Sequence, residues 1–300
     1  MRNALSFDVE DYFQVEALSG AVHRADWSGM PSRVEANTDR LLDLLAVGGT
    51  KATFFVLGWI ADHHPSLVRR IAAAGHEVAC HGYSHEAVYR QAPDTFREET
   101  RRSKALLEDQ AQCRVRGYRA ASWSVTARSL WALEILAEEA FDYDSSIFPI
   151  RHDLYGMPGA PRGPHRIILE QGRGSLIEFP PSTVRLGPLT LPVAGGGYFR
   201  LLPWPVTRWA IHRVNGEGLP FMFYLHPWEV DPGQPRVKVG LKSRFRHYTN
   251  LSVCASRLER LLCEFDMAPV SEVLQQHRAL VEAAPAREVP CSIGTVGSLT

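Results

Sequence analysis

The 300-residue chain reads as an α/β protein built on a mostly parallel sheet. Three observations predict this. Short apolar, β-branched and aromatic runs alternate with charged amphipathic stretches over the first two-thirds, the order that gives parallel strands joined by helical crossovers. The strand-like runs are apolar on both faces, as in a sheet or barrel covered by helices. Ionisable residues stand directly after several of these runs, where α/β barrels place their sites.

The elements follow in order. Ala4–Phe7 opens the chain as a buried strand. Val34–Val47 carries Leu41, Leu42, Leu44 and Leu45 among charges and stops at Gly48 and Gly49, which suits a helix. Lys51–Val56 is a strand, and a helix from Pro65 to Ala74 ends at Gly75. Glu77–Cys80 is a short strand, and 94–110 a charged amphipathic helix. Gly117–Arg119 is a strand, Ser129–Ala140 a helix, Phe221–Leu225 an almost wholly apolar strand and Leu251–Phe265 the last helix. The Pro-, Gly- and Arg-rich stretch 150–220 reads as an irregular insertion that adds a few strands. One domain is expected over 1–283, followed by a poorly ordered tail at 284–300.

Composition narrows the function. Hydrophobic residues make up 45% and charged residues 22%, so the chain can bury a large core unaided. Lys+Arg and Asp+Glu both number 33, which argues against a nucleic-acid binder held by bulk charge. The five cysteines, Cys80, Cys113, Cys254, Cys263 and Cys291, form no CxxC pair, so neither a disulfide framework nor a zinc ribbon is expected. No secretory signal or 18-residue apolar run is visible, and the expectation is a reduced, cytoplasmic protein without a transmembrane segment. GxSxG, GxGxxG and P-loop signatures are absent, which disfavours a serine esterase and nucleotide cofactors.

Four places carry chemistry. Asp8, Glu10 and Asp11 follow the first strand, and clustered carboxylates call for a cation. His81 and His85 follow the third strand; at a spacing of four they would share one face of a helical turn and meet one ion. Arg119 and Trp123 follow the fourth strand, and an Arg beside a carboxylate keeps it ionised. His226, set at a rim by Pro227, is placed as a general acid. Each feature has an ordinary reading as a cap, loop or core residue. Their order along successive strand ends is far more specific.

In that order the chain resembles the polysaccharide deacetylases, the NodB-homology group of carbohydrate esterase family 4, and within them the subfamily of exopolysaccharide loci that accompany PEP-CTERM sorting. The resemblance rests on SFDVEDYFQV (6–15), TFFVLGWIA (53–61), GHEVACHGYSH (75–85), GYRAASWS (117–124), YDSSIFP (143–149), EFPPS (178–182), GGGYFRLLP (195–203), FYLHPWEVD (223–231) and FRHYTNL (245–251). It implies a distorted (β/α) barrel of about seven strands and metal-dependent removal of an acetyl group, N-acetyl first, from a sugar or polysaccharide. It maps the catalytic base to Asp8, its brace to Arg119 and the catalytic His to His226. The metal ligands map to His81 and His85. Val9 stands where the family usually has a second Asp, so Glu10 is the acid ligand and Asp11 the alternative. The implied metal is divalent, zinc first, with cobalt, nickel or iron as alternatives. Tyr12, Tyr83, Trp123 and Trp228 are the candidates for stacking on sugar rings, and a backbone N–H near Tyr83 or Tyr12 for the oxyanion. The Gly195–Arg200 loop is expected to border the pocket. The rival readings are a hydrolase of a small cyclic amide or ureide on the same fold, and a carbohydrate-binding relative that has lost its metal.

Overall fold

The computed structural model describes residues 1–152, 155–169 and 174–289. Its strands are β1 (Asn3–Val9), β2 (Thr53–Val56), β3 (Glu77–Cys80), β4 (Gly117–Tyr118), β5 (Tyr143–Asp144), β6 (His165–Leu169), β7 (Ser175–Glu178), β8 (Thr183–Leu186), β9 (Leu189–Pro192), β10 (Met222–Leu225), β11 (Met267–Ala268) and β12 (Arg287–Val289). Its α-helices are α1 (Val34–Val47), α2 (Gly58–His63), α3 (Pro65–Ala73), α4 (Pro93–Ala111), α5 (Trp131–Glu138), α6 (Gly196–Leu201), α7 (Trp204–Gly216), α8 (Leu241–Tyr248), α9 (Cys254–Glu264), α10 (Val270–Gln276) and α11 (Arg278–Ala283).

The main sheet runs β10-β1-β2-β3-β4-β5-β7-β6-β12, with β11 paired to the start of β1. From β10 to β7 every neighbour is parallel, a seven-stranded run, and only β6 and β7 pair antiparallel. No ladder among the described residues joins β12 back to β10, so by its hydrogen bonds the sheet is open. β1, β2 and β10 are buried along their whole length, which explains why their sequences are nearly continuous apolar runs. Phe7, Phe54, Val56, Phe223 and Leu225 share one core with inward residues of the helices, Leu41 and Leu45 from α1 and Leu107 from α4 among them. β8 and β9 form a separate hairpin.

Two expectations change. The 150–220 stretch is not simply an insertion, because β7 lies within it and extends the parallel run beside β5. Its alternating partner β6 is buried only at every second residue, a weak pattern lost among the surrounding Pro and Gly. The tail expected to be poorly ordered begins with ordered chain, since Arg287–Val289 pair in parallel with β6. Residues 290–300, with Cys291, lie outside the described residues.

Candidate active site

The C-terminal ends of β1, β3, β4 and β10 bring the marked residues together. Asp8 sits near the end of β1 and is almost wholly buried. Arg119, just past β4, is fully buried and donates from Nη1 to Asp8 Oδ1 at 2.6 Å. The same guanidinium donates to Ser6 Oγ at 2.8 Å, to Ser145 Oγ at 3.0 Å and to the Ser145 carbonyl at 3.3 Å. It lies over the rings of Phe55 and Trp123, 4.0 and 4.7 Å from their centres. A charge this well surrounded holds one carboxylate oxygen in place and leaves the other for chemistry.

Glu10, His81 and His85 each offer a ligand atom, all within 4.8 Å of one another. His81 follows β3. Its Nδ1 lies 2.7 Å from the Arg119 carbonyl, and a carbonyl only accepts, so Nδ1 carries the proton and Nε2 keeps its lone pair. His85 Nε2 lies 2.8 Å from Glu10 Oε2. That oxygen is buried without a hydrogen bond of good geometry, and an orphaned carboxylate oxygen facing two imidazoles fits a divalent cation. Burial pushes the Glu10 carboxyl up, but His85 and His226 outweigh it and hold it at about 2. Burial also pushes His81 down, to about 4, which keeps it in the neutral form that ligates metal.

The two histidines do not share a helical turn, contrary to expectation. Residues 81–85 form a loop in which Gly82 has φ +73° and His85 φ +51°, and this loop sets their rings 5.5 Å apart. A left-handed His is a costly conformation, of the kind that clusters at functional sites. Ser122 and Trp123, with φ +53° and +54°, place a second strained turn directly behind Arg119. Asp11 is not part of the metal group. Its Oδ2 accepts from Ser32 Oγ and from the N–H groups of Arg33 and Val34, so it caps α1, and its Oδ1 accepts from the Tyr12 N–H at 2.8 Å.

His226 follows β10. Its Nε2 faces Glu10 Oε1 at 3.5 Å and Asp8 Oδ2 at 3.9 Å, while Nδ1 lies 2.8 Å from Glu229 Oε1. Burial pushes this imidazole down, but Glu10, Glu229 and Asp8 outweigh it and raise it to about 9. Arg200 in turn holds Glu229 through Nε at 2.7 Å, and both are fully buried. Gly195 and Gly196 pack on this side. A Cβ on Gly196 would stand 1.8 Å from the Glu229 carboxylate, and one on Gly195 would stand 2.3 Å from the Tyr224 ring.

Of the expected sugar platforms, the structure brings two to the group. Trp228 stacks on His226 with ring centres 5.2 Å apart and donates from Nε1 to Glu10 Oε1 at 3.3 Å. Trp123 packs on Tyr224 and Phe148 behind Arg119. Tyr12 is fully buried in a second aromatic core with Phe13 and Trp27. Its N–H is also taken by Asp11, so it is not free for an oxyanion. Tyr83 lies under Arg102 and donates to Asp62 at 2.8 Å, which ties its ring to α2 and α4. The Glu229–Arg200 support was missed as a role in the sequence. Its signal was the Glu three residues after His226, a capping-box spacing. Beside His85 a recess of about 230 Å³ is lined by Gln14, Glu16, His23, Arg24, Trp27 and Glu86, among others.

Residues 27–138 match the polysaccharide deacetylase family, and residues 145–275 match a domain of unknown function, DUF3473. A chitooligosaccharide deacetylase from Rhizobium leguminosarum bv. trifolii is 46% identical over 66 residues, 19% of this chain and 31% of that protein. A peptidoglycan-N-acetylglucosamine deacetylase from Bacillus cereus is 37% identical over 70 residues, 23% of this chain and 26% of that protein. The chain thus spans about a quarter to a third of these two relatives. A crystal structure of a provisionally assigned polysaccharide deacetylase from Mycobacterium smegmatis superposes with a TM-score of 0.65 at 23% identity, covering 98% of this chain and 94% of that one, a likeness of fold. Over residues 27–138 the chain is thus similar to the polysaccharide deacetylase family, and the two relatives share that likeness.

Proposed function

We propose that the protein is a metal-dependent deacetylase acting on N-acetylated sugars, with the acetylated units of an exopolysaccharide as its natural substrate class. One observation carries the reading. The braced carboxylate of Asp8 and the imidazole of His226 converge on the Glu10, His81 and His85 donor set. The likeness to a chitooligosaccharide deacetylase and a peptidoglycan-N-acetylglucosamine deacetylase supports the N-acetylated sugar. The free cysteines, with Cys80 and Cys254 buried, support a reduced, cytoplasmic setting. No helix among the described residues is long and apolar enough to cross a membrane.

Glu10, His81 and His85 would hold a divalent cation, zinc first, which supplies Lewis-acid polarisation and a more acidic bound water. Asp8 takes a proton from the attacking water through its outer oxygen, Oδ2, while Arg119 holds Oδ1 and keeps the carboxylate oriented. The Tyr83 N–H, which has no partner among the described residues, is available for the oxyanion. His226 gives its Nε2 proton to the leaving amine, and Glu229 holds the ring by Nδ1 so that Nε2 faces the reacting side. Trp228 excludes water on one side of that imidazole.

The test is acetate release from N-acetylated chitooligosaccharides. Activity should disappear with chelator and return with zinc. Asp8→Asn should retain stoichiometric metal and lose roughly 100- to 10,000-fold in turnover. Loss of metal along with activity would make Asp8 a ligand. Ammonia released from cyclic amides in place of acetate would overturn the substrate class.

A further inference from the structure

A cationic, apolar-tipped surface lies beside the site and takes no part in the chemistry above. Between Asp231 and Arg257 the sequence contains no acidic residue, yet it carries Arg236, Lys238, Lys242, Arg244 and Arg246. All five are exposed, and none forms an ion pair among the described residues. The chain as a whole is neutral, so this concentration is local. On α8, Leu241 and Phe245 are one turn apart and share a face. They are 83% and 56% exposed, though a short helix of a water-soluble surface has no packing reason to display them. Lys242 and Arg246 flank this apolar ridge on one side and Arg244 on the other. His247 faces inward, stacked on Trp228 at 4.2 Å, so the helix is anchored and its outer face is fixed.

We infer that α8 and the preceding loop form a docking surface for an anionic lipid bilayer. Apolar tips bracketed by cations match the headgroup boundary, where the tips enter the acyl edge and the cations meet lipid phosphates. A nucleic acid or an acidic protein would answer the charge but not the exposed Leu–Phe ridge. The helix packs against Glu16–Leu18, and Glu16 lines the recess beside His85. Docking would therefore bring that recess close to the membrane plane, as suits a saccharide carried on a lipid. This last step rests on the deacetylase reading; the docking surface itself does not.

Cosedimentation of the full chain with vesicles tests it. Vesicles of phosphatidylcholine mixed with phosphatidylglycerol should bind the protein, and vesicles of phosphatidylcholine alone should not. Lys242→Gln with Arg244→Gln should weaken binding by about fivefold per cation removed. Leu241→Ser with Phe245→Ser should weaken it by at least tenfold, because the apolar tips no longer enter the acyl edge. Both variants alter exposed residues, so acetate release from soluble chitooligosaccharide should stay at the wild-type level if the chain is a deacetylase. No binding to the mixed vesicles overturns the proposal. So does binding that ignores the Leu241 and Phe245 changes and is matched on a heparin column, which would mark a general polyanion surface. Vesicle binding without acetate release would sink the enzymatic reading and leave the docking surface standing.

Discussion

At the scale of the residue, His226 stands out because three carboxylates surround one imidazole and Glu229 holds its far nitrogen. If it protonates the leaving group, His226→Ala should cost roughly 100-fold or more on a sugar amide and much less on an activated aryl acetate, whose leaving group needs no proton. Equal losses on both substrates would assign it to positioning instead. Gly196→Ala approaches the same question from behind. The new methyl must displace the Glu229 carboxylate, so the variant should lose turnover on the amide while its metal content stays unchanged. The residues of the site were legible because each follows an apolar strand, and strand ends need few residues to define them. What stayed hidden was conformation. The spacing of His81 and His85 fits a helix as well as a loop, and only Gly82, one residue on, hints at the left-handed turns that bring them together. Nothing local marks Asp11 as a cap for a helix that starts 23 residues later, so its carboxylate competed with Glu10 in the sequence.

At the scale of the element, the strands with two buried faces and the helices with Gly stops were readable from period and punctuation. β5, of two residues, is too short to carry a pattern, and the alternating β6 does not separate from its Pro- and Gly-rich surroundings. The seam between β2 and β3 also carries a pH sensitivity. His76 precedes β3 and its Nδ1 accepts the Ala52 N–H at 3.2 Å, which requires an unprotonated nitrogen. Burial, with a smaller contribution from Lys51, lowers this imidazole from 6.5 to about 4. The unfolded chain therefore binds the proton first, and stability present above pH 6.5 is lost as the pH falls towards 4. The loss attributable to His76 is at most about 3 kcal/mol. Urea midpoints at neutral and mildly acid pH should converge in His76→Gln, which keeps an acceptor for Ala52 without a titrating group. An unchanged pH slope would place the sensitivity elsewhere.

At the scale of the whole molecule, the donor set joins two parts of one sheet that are far apart in sequence: Glu10 just after β1, and His81 and His85 in the loop after β3. A cation bound there favours the folded chain by mass action, about 2.7 kcal/mol at a hundred times Kd. Zinc should therefore raise the thermal midpoint of the protein by several degrees, and His81→Ala should abolish the rise. A midpoint that rises equally in the variant would mean that the ion binds elsewhere. Asp8→Asn needs the same thermal control, because it leaves the buried Arg119 without its counter-charge.

The place of β1 in the strand order has a consequence for biosynthesis. Of the strands in this sheet it is made first, yet it ends between β2 and β10. β2 is available once residue 56 has appeared, but β10 begins only at Met222, so one edge of β1 waits for most of the chain to be made. Asp8 and Glu10 are thus made more than two hundred residues before His226. Such distant pairing is slow to form and leaves an apolar strand edge exposed meanwhile. Nascent chains stalled before residue 222 should accordingly depend on a chaperone to stay soluble, and those extended past β10 should shed that dependence.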